Sequence, residues 1–310
     1  MTGLTVGFRE AAFRSGKKMN IQRWLISGTM SVGISLLACS AFAQGYPGSC
    51  FAQGYPCYNQ CYNLPEQNTL RAALQTAVSG VLGPNGGLGN NMWATLVAND
   101  GTVCAVAFSG STSAAQWLGS RVISAQKANT ANDFSLSNGA RLNGTGLALS
   151  TANLYSAVQP GGSLYGLQHS NPVDPEVAYQ GDSATFGTAS DPMVGSRIGG
   201  VNVFGGGLAL YAQGGVRIGG LGVSGDNSCT DHFVAWRVRH ALVLDHFTGV
   251  DGVNSAGTPP DDNIIYDITA TSNGGLLDPV GTLSQSTSGY GHPMCSPATP
   301  SPSTLPAVVP

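Results

Sequence analysis

From Pro65 onward the apolar residues Leu70, Leu74, Ala77, Val78 and Val81 recur at helical spacing. A proline in the first turn costs nothing there, because its missing N–H would have no partner. Gly83-Pro84 marks the stop. Two apolar runs, Met92–Asn99 and Thr102–Phe108, then flank Asp100-Gly101, the strongest short hairpin signal. Ser113–Asp133 has the period of a helix, with Trp117, Val122, Ile123 and Ala128 as inward positions, and Leu147–Val158 that of a shorter one. Pro160–Asp191 has no period and is predicted to be a long loop, a length usually tied to function or disorder. Val201–Tyr211 and Val216–Ser224 flank Gln213-Gly214-Gly215 and form a second hairpin. Inside its first run, Gly205-Gly206-Gly207 signals a bulge or a close approach to the backbone. Asp231–His246 follows as a helix with Phe233, Trp236, Val238, Leu242 and Val243 apolar. Beyond Gly249 the chain turns polar. Asn263–Ile268 is read as an edge strand, and the proline-rich end from Pro293 as disordered.

Hairpins, rather than strand–helix–strand crossovers, imply an α+β fold with an antiparallel sheet and packed helices. The composition, 42% apolar with 44 glycines and only 9% charged residues, fits one sizeable domain of strands and tight turns with appendages. The boundaries read as 1–43 for an N-terminal extension and leader, 44–64 for a Cys-rich arm, 65–248 for the domain, and 249–310 for a polar extension and tail.

The first segment changes the charge. Met19 opens a second start with Arg23 as a positive n-region, Leu25–Ala38 as an apolar stretch and Ala41-Phe42-Ala43 as an A-x-A cleavage site. The expected mature chain therefore begins after Ala43 and is periplasmic or secreted. A rival reading lipidates Cys39. The apolar stretch is too short for a membrane-spanning helix, and no later segment is long enough. Cleavage removes five basic residues and one acidic from totals of 13 and 16, leaving a net charge of −7. A chain this acidic is a poor partner for nucleic acid or an anionic membrane. Lys127 is the only lysine beyond residue 18.

Six cysteines follow Ala43: Cys50, Cys57, Cys61, Cys104, Cys229 and Cys295. An even number in an exported chain argues for disulfides. Fifteen pairings exist; the preferred one joins Cys104 to Cys229 and leaves the N-terminal three to share with Cys295. The hexapeptide Phe-Ala-Gln-Gly-Tyr-Pro occurs at both 42–47 and 51–56, just before Cys57-Tyr-Asn-Gln-Cys61-Tyr62. A c-type haem attachment needs C-x-x-C-H, and zinc needs four ligands. Neither is met, so this segment is a stapled arm. Gly220-Leu-Gly222-Val-Ser-Gly225 satisfies G-x-G-x-x-G but follows a hairpin strand rather than opening a βαβ unit. Ser224 does not form G-x-S-x-G.

Four segments together resemble the GlcG/HbpS-like haem-binding family: the Asp100-Gly101 hairpin, SRVISAQKANTANDFS (Ser120–Ser135), IGGVNVFGGGLALY (Ile198–Tyr211) and VRIGGLGVSGD (Val216–Asp226). The family's lysine-alanine-x-threonine-alanine helix is matched by Lys127–Ala131, and its closing Gly-Val-Ser-Gly strand by Gly222–Gly225. The resemblance spans residues 65–247. It implies a five-stranded antiparallel sheet with packed helices, a haem or similar small ligand, and a homo-oligomer. The loop Ser163–Gly181, the cysteines and the long tail depart from shorter members.

Haem held by protein needs an axial ligand in an apolar slot, and its propionates favour Arg or Lys. His232 at the start of the last helix and His169 in the long loop, four residues after Tyr165, are the candidate ligands. Lys127 and Arg121 are the candidate anion partners; an ordinary surface arginine is the competing reading for Arg121. His240 and His246 are read as surface or packing residues, and His292 as a tail residue without a role. Asp174, Glu176 and Asp182 form an acidic loop cluster, either solvated or metal-binding. The preferred function is an exported protein that captures or buffers haem. The alternatives are a periplasmic enzyme on a small organic substrate, for which no paired catalytic machinery stands at a convincing spacing, or an oligomeric accessory or signalling subunit.

Overall fold

The computed structural model of the chain describes residues 60–253, 261–268 and 286–310. The leader segment 19–43 with Cys39, the duplicated hexapeptide, Cys50 and Cys57 lie outside these described residues. In chain order the elements are α1 (Gln67–Val78), β1 (Trp93–Ala98), β2 (Val103–Phe108), α2 (Ser120–Asp133), β3 (Gly146–Leu147), α3 (Leu154–Ala157), α4 (Leu167–Ser170), α5 (Pro175–Tyr179), β4 (Gly207–Ala212), β5 (Val216–Ser224), α6 (Ser228–Ala241) and β6 (Val250–Asp251).

Both hairpins form where turn chemistry asks for them. Gly101 takes a φ of 82°, and the Asp100 carboxylate accepts the Thr102 N–H at 3.1 Å. The four long strands make one antiparallel sheet in the order β2-β1-β5-β4, and β3 pairs with β6 in a two-residue parallel ladder. Strand alternation sorts β1 between two cores. Ala94, Leu96 and Ala98 face α1 and α6 with Leu70, Leu74, Phe233 and Val234. Trp93 and Val97 face α2 with Val122, Ala125 and Ala128.

On the α2 side the sheet has a glycine floor. A Cβ on Gly222 would lie 1.8 Å from the Ser124 carbonyl oxygen, and one on Gly220 2.2 Å from that of Ala128. With no side chains on β5 there, α2 rests on the strand backbone, and Thr95 Oγ1 meets Ser124 Oγ at 2.7 Å. The G-x-G-x-x-G pattern is thus a helix-docking surface. The loop 172–206 covers the other side of α2, so Arg121, Lys127 and Asn129 are buried although polar, and Asn132 is buried against Asn99 and Arg217.

Several expectations change. The sheet has four strands, not five. In the expected edge strand Asn263–Ile268, the Ile264 N–H is directed to the His232 ring and to Asn263 Oδ1, and only Ile268 bridges Ser286. Val201–Phe204 forms no strand and β4 begins at Gly207. The helix expected from Ser113 starts at Ser120. The Gln116 side chain bonds the Thr112 and Ser113 carbonyls and the Gly110 N–H, closing a 3-10 turn and leaving Trp117 52% exposed. The expected helix Leu147–Val158 shrinks to α3. α6 ends at Ala241, followed by Val243 at φ 55°.

The proline-rich end is not disordered over its described residues. Leu305 enters the main core, Trp236 Nε1 donates to the Pro306 carbonyl at 2.8 Å, and Phe247 and Val309 pair through the backbone. The predicted Cys104–Cys229 bond is also corrected. Cys61 joins Cys104, tying the segment before α1 to β2, and Cys229 joins Cys295, tying α6 to the tail.

Candidate functional site

The first turn of α6 is where three separate segments meet. Asn227 caps the helix by accepting the Thr230 N–H at 3.0 Å. Just upstream, the Asp226 carboxylate gathers the Leu88 N–H at 2.9 Å and the Asn90 N–H at 3.2 Å. This fixed start presents Ser228 and His232 four residues apart on one face, with Asp231 beside them.

Lys127 reaches this turn from α2. Its ammonium donates to Asp231 Oδ2 at 2.7 Å and to the Val223 carbonyl at 3.1 Å, and it sits 4.1 Å from the centre of the Phe204 ring. Both ionic groups are 0% exposed. Burial pushes the Asp231 carboxyl up to about 6 and lowers Lys127, each against the pull of its partner. Gly205-Gly206-Gly207 lies directly on the pair. A Cβ on Gly206 (φ 114°) would stand 2.3 Å from the Val223 oxygen, 3.0 Å from Asp231 Cβ and 3.1 Å from Lys127 Nζ. The glycines mark a close backbone approach over this ion pair. Thr151 Oγ1 holds the segment by donating to the Phe204 carbonyl and accepting the Gly207 N–H.

His232 is 0% exposed and neutral, because burial drives its pKa to about 3. Its Nε2 lies 3.2 Å from Asn263 Oδ1 and 3.1 Å from the Ile264 nitrogen, whose N–H also reaches Asn263 Oδ1 at 2.8 Å. A proton on Nε2 satisfies both donors through Asn263 Oδ1. Nδ1 has no partner. It is then a bare lone pair, the less costly of the two kinds of buried orphan.

His292, read from sequence as a tail residue, belongs to this cluster. Its Nδ1 donates to the Pro293 carbonyl at 2.7 Å, and its Nε2 meets Ser228 Oγ at 2.6 Å. The Tyr155 ring packs 4.7 Å away, and burial lowers the histidine to about 4. Its backbone is pinned by the Ile265 carbonyl, and Gly291 by Ser156. The tail disulfide was the one sequence signal that could have placed it, through Cys295 three residues on.

The remaining candidates sit elsewhere. Arg121 is locked to Asp191 by two bonds of 2.8 and 2.5 Å, under the Phe186 ring. Tyr165 is 61% exposed, and His169 is exposed on α4. His240 bonds the buried Asp245 at 2.7 Å. Asp174 and Asp182 cap the turns that follow them, accepting N–H groups of Glu176 and Ala184. Among the described residues the metal-type side chains that converge are Cys229, His292 and Cys295, whose two sulfurs are bonded to each other.

No family model matches the chain, and no curated protein does. Solved structures match part of the chain. One is a PduOC–haem complex, 22% identical over 56% of this chain and 89% of its own, at a TM-score of 0.36. Another is the Klebsiella pneumoniae protein ORFY, 21% identical over 56% and 86%, at 0.36. A third is a double mutant of Streptomyces reticuli HbpS, 14% identical over 66% and 98%, at 0.34.

Proposed function

We propose that this protein binds haem outside the cytoplasm, with His232 as the imidazole ligand of the iron. The observation that carries the reading is the buried Nδ1 of His232, a neutral nitrogen with no partner among the described residues. Metal ligation needs that state, and the second ring nitrogen is already fixed by Asn263, as ligating imidazoles usually are. The residue pattern shared with the GlcG/HbpS-like family supplies the ligand class. Bound haem would supply a redox-active iron.

The chain's own residues do the rest. Phe204 and Trp236 provide aromatic surface beside the ion pair and the imidazole. Arg239 and Lys127 both act on the His232 ring, and each is already paired, with Asp262 and Asp231. His169, Tyr165 and Arg121 stand apart from this cluster and are left out. Export, with the A-x-A site after Ala43, is part of the same reading, and both disulfides suit an oxidising compartment. So is assembly into a homo-oligomer, checked by light scattering.

The test is titration with hemin. A saturable, red-shifted Soret band is expected, weakened at least tenfold in affinity by His232→Ala and little changed by His169→Ala. Absence of a spectral change at micromolar hemin, or a band indifferent to position 232, overturns the proposal.

A further inference from the structure

We propose that Ser228 is an activated nucleophile, making this chain capable of acyl transfer from small carboxylic esters. This does not rest on haem binding. Four features coincide. First, Ser228 Oγ and His292 Nε2 are 2.6 Å apart, the separation of a nucleophile and its general base. Second, the Nδ1–H of His292 is held by the Pro293 carbonyl at 2.7 Å, so Nε2 is the acceptor and the ring cannot turn away. The base is neutral, the form a general base must have before it accepts a proton. Third, the Gly205 N–H donates to Ser228 Oγ at 2.6 Å, fixing the hydroxyl so that its own proton points at the imidazole. Fourth, the residue after the serine, Cys229, directs its N–H to the Cys295 sulfur at 3.1 Å. Sulfur is a weak acceptor. That N–H occupies the position, one residue past the nucleophile, from which a developing oxyanion is bound in other acyl-transfer sites.

The tail makes the site. Ser228 comes from the start of α6 and is only partly buried, whereas His292 comes 64 residues later and is 1% exposed. The Cys229–Cys295 bond holds the two strips together. In the reaction, Ser228 Oγ bonds to the ester carbonyl carbon as its proton passes to His292 Nε2. The alcohol leaves with that proton, giving an acyl-serine. Water, deprotonated by the same nitrogen, then releases the carboxylic acid and restores the serine. No other reactant is required.

The experiment treats the folded full chain with a fluorophosphonate probe and maps the adduct by mass spectrometry. Single-site labelling of Ser228 is expected, together with a burst of p-nitrophenol from p-nitrophenyl acetate. His292→Gln should slow labelling by about 10²–10⁴-fold, the usual contribution of a positioned base, and Ser228→Ala should abolish it. Labelling of other serines only, or of none, in the wild-type protein overturns the proposal whether or not the variants fold. Equal labelling rates in a folded His292→Gln variant overturn it too. Hemin binding by an unlabelled wild type would leave the haem reading standing alone.

Discussion

Lys127 and Asp231 join α2 to α6 with no solvent contact on either side, and removing one partner tests how the interior tolerates a lone charge. In Asp231→Asn the amide oxygen can still accept the Asp226 N–H that Asp231 Oδ1 accepts at 2.9 Å, so the packing survives. What is lost is the countercharge of a buried ammonium. Breaking a buried pair from one side typically costs about 3–5 kcal/mol. For a folded region of this size each kcal/mol corresponds to about 2–4 °C in Tm, hence a drop of roughly 6–20 °C. The cost should be smaller at pH 9 than at pH 6. Lys127 titrates below its ordinary value already, and losing its partner lowers it further, so the amine sheds its proton as pH rises. The double variant Lys127→Met/Asp231→Asn removes the stranded charge and should recover a good part of the loss. Urea denaturation followed by the fluorescence of the buried Trp93 and Trp236 reads all three proteins. A single-variant cost below about 1 kcal/mol at pH 7, or a double variant no more stable than Asp231→Asn, would refute the argument.

Three further outcomes are expected. Gly222→Ala drives a methyl group to within 1.8 Å of the Ser124 oxygen, so α2 must lift from the sheet; a loss of at least about 1–3 kcal/mol in the same urea titration is expected. Reducing the Cys229–Cys295 bond, which closes a 66-residue separation, should destabilise by about 2–4 kcal/mol and expose Trp236, seen as a red-shifted emission. Asp261 is 7% exposed and burial raises its carboxyl to about 6, so its ionisation opposes folding as pH rises through 6. Asp261→Asn should therefore stabilise at pH 7.5 by on the order of 2 kcal/mol, with the gain fading as pH falls toward 4, measured as a Tm difference across pH.

What the sequence revealed was what neighbouring residues decide. The Asp100-Gly101 and Gln213–Gly215 turns, α1, and the body of α2 and α6 follow from turn chemistry and spacing. The glycine triplet 205–207 signals either a bulge or a close approach, and the close approach is there, against Lys127 and Asp231. What stayed hidden depends on partners far along the chain. Nothing local distinguishes a proline-rich tail that docks from one that does not; Leu305, Pro306 and Cys295 are held by α6 residues about 65–70 positions earlier. His292 reads from sequence as a tail residue without a role for that reason, since its neighbours Tyr155 and Ser228 are far from it in sequence. The fifth strand failed because a side chain, Asn263 through its Oδ1, accepts the Ile264 N–H that a ladder would have used.

The sealing of Lys127 has a practical corollary. Beyond Lys18 the sequence offers no other ε-amine, and this one has no surface open to reagent. Amine-selective crosslinkers should therefore find no side-chain amine to react with in the folded domain. The rate at which the tryptic peptide containing residue 127 becomes acylated then clocks how often α2 parts from α6, one reporter already in place, with no label engineered in.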